Sequence, residues 1–286
     1  MTLRAAIFFL CCLLASAAVS AYVVRPPSGS ISAHESAYDH VLRTKTLRCG
    51  YASWPPFVFT TDPITGKISG IFVDVIEAMA KKLSLKVEWA ENTGSGGAVE
   101  SLRTHRIDAF CAGLWVNAER GRYVAYTAPV FYSATYPYVA VNDHRFDKDL
   151  SGVNRPETRI ATMDGEMSDI VARTQFPRAK PVSIPALAQP SDMLLNVAMH
   201  KADIVFTEPS FAAGYMQANP KTLRRAQDKP FQTFATAFAV EIHEHELQTM
   251  LDNALTELQN QGVVTEIIAH YAQDPTLFLR IAHPYQ

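Results

Sequence analysis

The sequence predicts an α/β fold made of two similar halves, each with a mostly parallel sheet flanked by helices. Short apolar segments typical of buried strands alternate with amphipathic helical segments over residues 47–114. The same alternation starts again over residues 159–209. A third observation is the length, which exceeds that of one common domain and suits two lobes. Alternating β and α segments favour parallel strands joined by right-handed crossovers.

The N-terminus has the layout of a cleavable secretory signal peptide. Arg4 precedes an apolar run over residues 5–14, and small residues lead to Ala21. The run is short for a membrane span, which needs about 20 residues. We therefore expect residues 1–21 to be removed, the alternative being an uncleaved anchor. That segment carries one arginine and no acid, so 265 residues remain, with 25 basic and 28 acidic side chains and a formal net charge of −3.

The composition of the remaining chain excludes several classes of protein. There is no second long apolar run and no basic block, which predicts a soluble periplasmic protein that binds no nucleic acid. Cys49 and Cys111 remain after cleavage, and the sequence leaves open whether they form a disulfide. No Cys-x-x-Cys pair is present, so we expect neither a metal site nor a cofactor.

The first half begins with a leader at residues 22–44 that includes a short helix near 38–42. Periodicity then predicts, in order, a strand (47–51), an extended turn with two prolines (53–59), a helix (70–85), a strand (86–90), a glycine loop leading into a helix (93–106) and a buried strand (107–114).

The second half repeats this order after a candidate crossing segment at 132–141. The predicted elements are a strand (159–165), a helix stopped by Pro177 (167–177), a strand (179–184), a helix (190–202), a buried strand (202–209), a strand (234–242) and two helices broken near Gly262 (244–272). In parallel sheets ligands bind beyond the carboxyl ends of the strands. Residues 51–57 and 113–120 both follow strand ends, so we expect them to face one crevice.

Five segments in this order resemble the bacterial extracellular solute-binding proteins of family 3, the polar amino acid type that serves ABC importers. They are LRCGYASWPPFVF, GKISGIFVDVIEAMAKKLSLKVEW, SLRTHRIDAFCAGLWVNAERGRYVAYTAPVF, KADIVFTEP and ELQTMLDNALTELQNQGVVTEI. The resemblance implies the type II periplasmic binding protein fold, with two lobes joined by a two-strand hinge. It implies a first lobe at 45–133 completed by 236–286, and a second lobe at 134–235.

The resemblance also implies ligand-binding residues in the first lobe. An arginine shortly after the third strand pairs with the ligand carboxylate in this family, and Arg120 stands there. The preceding positions usually offer hydroxyls or backbone N–H groups. Here they are Gly113, which offers only its N–H, Trp115, which cannot replace a hydroxyl, and Asn117, which stands where threonine is common.

In the second lobe the resemblance assigns Glu208 to the ligand ammonium, where aspartate is commoner in the family. The usual hydroxyl-bearing turn is replaced by Asp-Gly-Glu-Met-Ser at 164–168, so Met167 and Ser168 are its candidate contacts. This departure weakens the case for an ordinary α-amino acid. Trp54 stands where an aromatic residue often stacks on the ligand, and with Trp115 it suits a flat or cationic solute.

We therefore expect a monomeric, non-enzymatic protein that captures an amino acid-like or cationic solute and delivers it to an ABC permease. Two alternatives stay open at this point. One is a periplasmic lyase resembling cyclohexadienyl dehydratase, with Glu166 and Glu208 as general acid and base. The other is a sensor protein that docks on a receptor instead of an importer.

Overall fold

The computed structural model describes residues 35–272 and 278–279. The predicted signal peptide and residues 22–34 of the predicted leader lie outside the described residues. Within the described part of the chain, no helix is both long and apolar enough to cross a membrane.

The first half of the chain alternates strands and helices in the predicted order. Its elements are α1 (Ala37–Thr44), β1 (Thr46–Tyr51), β2 (Phe59–Asp62), β3 (Lys67–Ser69), α2 (Ile71–Lys82), β4 (Lys86–Asn92), α3 (Gly94–Arg103), β5 (Ala109–Trp115), a 3₁₀ turn (Arg120–Arg122) and β6 (Val124–Tyr126).

The second half begins with a ten-residue strand and ends with a helix pair. Its elements are β7 (Phe131–Ala140), a 3₁₀ turn (Ser151–Val153), β8 (Arg159–Met163), α4 (Met167–Gln175), β9 (Lys180–Ile184), α5 (Ser191–Ala198), β10 (Val205–Thr207), α6 (Pro209–Ala218), β11 (Leu223–Arg225), β12 (Gln232–Glu241), α7 (His245–Asn260), α8 (Val263–Tyr271) and β13 (Phe278–Leu279).

The structure differs from the sequence-based expectation in three places. The glycines predicted to form a loop after residue 93 instead form the first turn of α3, which begins at Gly94. Helix α6 was not predicted, although Pro209 at its first position is a common way to begin a helix. The strands β2, β3, β6, β11 and β13 were also missed, because segments of two to four residues carry too little periodicity to be recognised.

The main sheet is mixed, with nine strands among the described residues and the central order β10-β7-β12-β5-β1-β4. Strand β1 pairs in parallel with both β4 and β5, as predicted. Strands β7 and β12 are antiparallel partners, and β7 continues to pair with β10 and β11. These two long strands therefore run from one half of the molecule into the other.

The buried side chains form separate cores on the two sides of this crossing. One core is built from residues 37–131 together with 238–278 and includes the fully buried Phe110 and Phe238. The other side has two smaller clusters, one around Ile160 and one around Leu194, both drawn from residues 138–234. Each lobe thus has its own apolar interior.

A disulfide cross-links strands β1 and β5, which answers the question that the sequence left open. Cys49 and Cys111 are both fully buried and form a disulfide, with 5.5 Å between their Cα atoms. Asp108, just before β5, accepts hydrogen bonds from the backbone N–H and the guanidinium of Arg48 in β1, the Nη2–Oδ1 distance being 2.6 Å. Both features fix the two strands whose carboxyl ends enter the cavity described below.

Helix α1, in the described part of the predicted leader, is held against the first lobe by a buried carboxylate. The Glu244 Oε1 atom accepts from the N–H of Ala37 at 2.7 Å, and Oε2 accepts from the N–H of Tyr38 at 3.2 Å. Val41 of the same helix is fully buried. These contacts satisfy first-turn N–H groups that a helix leaves unpaired.

We expect Glu244→Ala to destabilise the protein by about 1–3 kcal/mol, because it leaves buried N–H groups without an acceptor. Thermal unfolding followed by circular dichroism measures the change. The matched control is Glu246→Ala, two residues further along and exposed, with an expected effect within about 0.5 kcal/mol. Equal melting temperatures for the two variants would contradict this account of α1.

Candidate ligand-binding site

A cavity lies between the two lobes, at the carboxyl ends of β1 and β5. On the side of the first lobe it is lined by residues that follow these strands, and on the other side by the residues that begin α4 and α6. The lining residues are Ala52, Trp54, Phe57, Phe72, Ser95, Ala112, Gly113, Leu114, Trp115, Arg120, Phe131, Glu166, Glu208 and Thr236. The two segments that topology placed in one crevice do line the same cavity.

The loop that carries Trp54 is held by its own backbone and by the start of α2. The N–H of Trp54 donates to the carbonyl oxygen of Val58 at 2.7 Å. The first N–H groups of α2, from Ile71 and Phe72, donate to the carbonyl oxygens of Pro56 and Phe57. The Trp54 ring then packs on Phe211 of α6 in the second lobe, with 4.9 Å between ring centroids.

Gly113 brings the backbone of β5 close against an aromatic floor. Its φ of +74° favours glycine, and a Cβ at this position would lie 2.3 Å from the Phe72 ring. Phe72 stacks on Phe57 and Phe131 at centroid distances of 5.3 and 5.5 Å. The Phe72 ring therefore fills the space that a side chain at position 113 would need.

Arg120 is a buried cation on the wall formed by the first lobe, with 6% of its surface exposed. Its Nη2 donates to the carbonyl oxygen of Gly165 in the second lobe. Its backbone N–H donates to Oδ1 of Asn117 at 2.9 Å, and Asn117 Nδ2 donates to the carbonyl of Trp115 at 3.1 Å. The 3₁₀ turn that presents the guanidinium is thus fixed by Asn117. Arg122, two residues later, is exposed, as expected for a surface charge.

Glu208 is a buried acid on the opposite wall, placed by the end of β10 and the proline that starts α6. It is 4% exposed, and Thr207 Oγ1 donates to its Oε2 at 3.2 Å. Burial, reinforced by the neighbouring charge of Glu166, raises the pKa of the Glu208 carboxyl to about 8. Among the described residues, no Lys, Arg or His nitrogen forms an ion pair with it.

The turn before α4 adds a second acid to the same wall. Glu166 is the N-cap of α4, and its Oε2 accepts from the N–H of Met167 at 2.9 Å. Met167 itself is buried in the core of the second lobe. Ser168 is also buried, and its Oγ accepts from the N–H of Met163 at 3.1 Å.

The lobes also touch along the rim of the cavity. Trp115 stacks on Phe234 of β12, with 4.5 Å between centroids and 2° between ring planes. The backbone at Gly96 in α3 meets that at Gly165, where an added Cβ would lie 2.7 Å from the Gly96 Cα. Only glycine at both positions permits this approach.

The structure brings together five of the eight residues proposed from sequence. Arg120, Glu208, Trp54, Gly113 and Trp115 line the cavity. Asn117, Met167 and Ser168 are not among the described lining residues, because their polar groups or side chains are engaged within their own lobes.

Several lining residues were missing from the proposed set. Phe57, Phe72 and Phe131 have the pattern of core residues, so nothing in the sequence marks them as a cavity floor. The sequence does single out Glu166, because an acid stands where the family usually has a hydroxyl group.

Comparison with known proteins gives consistent matches. A histidine-binding protein of Campylobacter jejuni, named as probable, is 25% identical over 232 residues, covering 80% of this chain and 85% of the relative. A probable amino-acid ABC transporter-binding protein of Haemophilus influenzae is 28% identical over 233 residues, with the same coverage.

Among solved structures, the ancestral amino acid-binding protein AncCDT-1, described as a precursor of cyclohexadienyl dehydratase, superposes with a TM-score of 0.72. The two are 23% identical, and the match covers 83% of this chain and all of that one. This similarity shows the two-lobed type II periplasmic binding protein fold. The profile of one family matches residues 47–274 of the 286. The chain therefore belongs to the bacterial extracellular solute-binding proteins, family 3.

Proposed function

We propose that the protein captures a small amino acid-like or cationic solute in the periplasm and delivers it to the membrane permease of an ABC importer. It acts as a monomer, and the lobes close over the solute by a hinge motion about β7 and β12. In this proposal the protein is a binder and not an enzyme. The names of two matched relatives, a probable histidine-binding protein and a probable amino-acid ABC transporter-binding protein, support this class of solute.

The observation that carries the proposal is the pair of opposite charges facing one cavity from different lobes. Arg120 is 6% exposed and Glu208 is 4% exposed. Glu208 has no cationic partner among the described residues, so an ammonium group of the solute supplies the missing charge. For a solute that also carries a carboxylate, Arg120 is the proposed partner, since a guanidinium matches a carboxylate with two parallel hydrogen bonds.

A thermal-shift screen tests this function. A solute that binds only the native state raises the melting temperature in proportion to its affinity and concentration. The screen contains amino acids, polyamines, betaines and organic acids. The proposal requires at least one amine-bearing solute to raise the melting temperature, and a screen without such a solute contradicts it.

A lyase is the second candidate function, and the raised pKa of Glu208 favours it. A carboxyl group with a pKa of about 8 holds a proton at neutral pH, which a general acid must do. Glu166 lines the same cavity and is the second carboxyl group of this candidate mechanism. Incubation with prephenate or arogenate, followed by mass spectrometry of the products, separates the two functions because a binder leaves both compounds unchanged.

For a carboxylate-bearing solute, we expect Arg120→Ala to weaken binding by about 2–5 kcal/mol, because it removes one partner of a buried charge pair. Isothermal titration calorimetry measures the loss. Arg122→Ala is the control, since Arg122 is exposed and its guanidinium lies over the Tyr123 ring. An affinity that stays within a few-fold in Arg120→Ala rules out the arginine as a carboxylate clamp.

The affinity for a cationic solute should rise with pH up to about 8 and then level off. The solute cation pairs with ionised Glu208, whose pKa is raised to about 8, so binding below that pH must release a proton. The expected change is up to about tenfold per pH unit. Calorimetry between pH 6 and 9 measures it, and Glu208→Gln should remove the dependence. Constant affinity over this range in the wild-type protein would contradict the assigned role of Glu208.

A further inference from the structure

The acids that line the cavity outnumber the bases. Glu166 and Glu208 both face it, and Arg120 is the one basic side chain among the described lining residues. With Glu208 ionised, as pairing with a cation requires, the lining carries one excess negative charge, and a neutral zwitterion leaves this excess unchanged. A solute of net charge +1 removes it.

Glu166 occupies the position of this wall that would otherwise receive an anionic group. A helix N-terminus attracts negative charge, and here the carboxylate of the protein itself accepts from the first N–H of α4 at 2.9 Å. Arg120, across the cavity, already donates to the carbonyl of Gly165 next to this acid. The N-terminus of α4 therefore already has an anionic partner, which is the Glu166 carboxylate.

Glu208 gives an independent indication that the cavity suits a cation. Its side chain is more than nine-tenths buried and lines the cavity, with one hydroxyl donor and, within the described chain, no ion-pair partner. The neighbouring Glu166 adds to the raised pKa of Glu208. An incoming cation stabilises the ionised form of Glu208, which burial and the neighbouring acid both disfavour.

The aromatic lining suits such a cation. Trp54 and Trp115 form part of the walls, and Phe57, Phe72 and Phe131 form the floor. The faces of these rings attract alkylammonium and guanidinium groups, most strongly away from water.

We propose that Glu166 determines the charge of the solute, so that the cavity accepts an organic cation of net charge +1 and discriminates against neutral zwitterions. This inference rests on the proposed function. The shared chemistry is a protonated amine or guanidinium, which a basic amino acid and its decarboxylated amine both provide.

The experiment compares L-arginine with L-citrulline, whose urea group has nearly the same shape without the charge. Agmatine, which is arginine without the carboxylate, distinguishes the two sources of the cation. Titration calorimetry on the full mature chain should give at least about tenfold tighter binding for arginine or agmatine than for citrulline.

Glu166→Gln keeps an oxygen for the N–H of Met167 and removes the charge, so it should reduce this ratio to within about threefold. Glu157→Gln, an exposed acid outside the cavity lining, is the control and should leave the ratio unchanged. Circular dichroism melting shows whether each variant is folded. If Glu166→Gln does not fold, Glu166→Ser, which keeps a helix-capping oxygen without the charge, replaces it with the same expected ratio.

Three outcomes overturn the inference. Citrulline that binds wild-type protein as tightly as arginine overturns it and leaves the proposed function standing. If folded Glu166→Gln still binds arginine or agmatine at least about tenfold more tightly than citrulline, another group determines the charge of the solute. If neither arginine nor agmatine binds, the inference fails, and the wider screen of solutes decides the proposed function separately.

Discussion

A carboxyl group enclosed by protein without a cation beside it is costly, and Glu208 has no ion-pair partner within the described part of the chain. Its pKa is raised to about 8 mainly because burial disfavours its charged form, and the acid at residue 166 adds to the effect. The fold holds Glu208 there through the end of β10 and the proline that begins α6. In the proposed function, a cationic solute is favoured because pairing with it stabilises the ionised form of Glu208.

The rest of the fold places Arg120, which belongs to the first lobe, in the same cavity as Glu208. The disulfide and the Arg48–Asp108 pair fix β1 and β5, whose carboxyl ends carry Trp54 and the segment leading to Arg120. Paired glycines at 96 and 165 let the backbones of the two lobes approach at the rim. In the proposed function, opposite charges on separate lobes let one small solute favour closure, since it interacts with both walls only when they are near.

Topology and resemblance together were enough to place Arg120 and Glu208 at one cavity, because residues after parallel strands share an edge of the sheet. Their roles toward a solute remain predictions. The polar groups of Asn117 and Ser168 suggested ligand contacts, yet Asn117 bonds to backbone atoms nearby, and Ser168 bonds to the N–H of Met163 and to the Sδ of Met193. Residue type alone does not determine whether such a group is already satisfied within its own lobe. The sequence also could not identify the three phenylalanines of the cavity floor, since a side chain that lines a cavity and one that fills a core have the same periodicity.

The most direct test of this account is the pH titration of the Glu208 carboxyl carbon by ¹³C NMR, assigned by the signal lost in Glu208→Gln. Without solute, we expect a midpoint near the value of about 8. With a cationic solute bound, the midpoint should fall by at least about one pH unit, because the solute stabilises the ionised form. A midpoint close to that of an ordinary glutamate, about 4.3, or one that the solute leaves unchanged, would contradict the account.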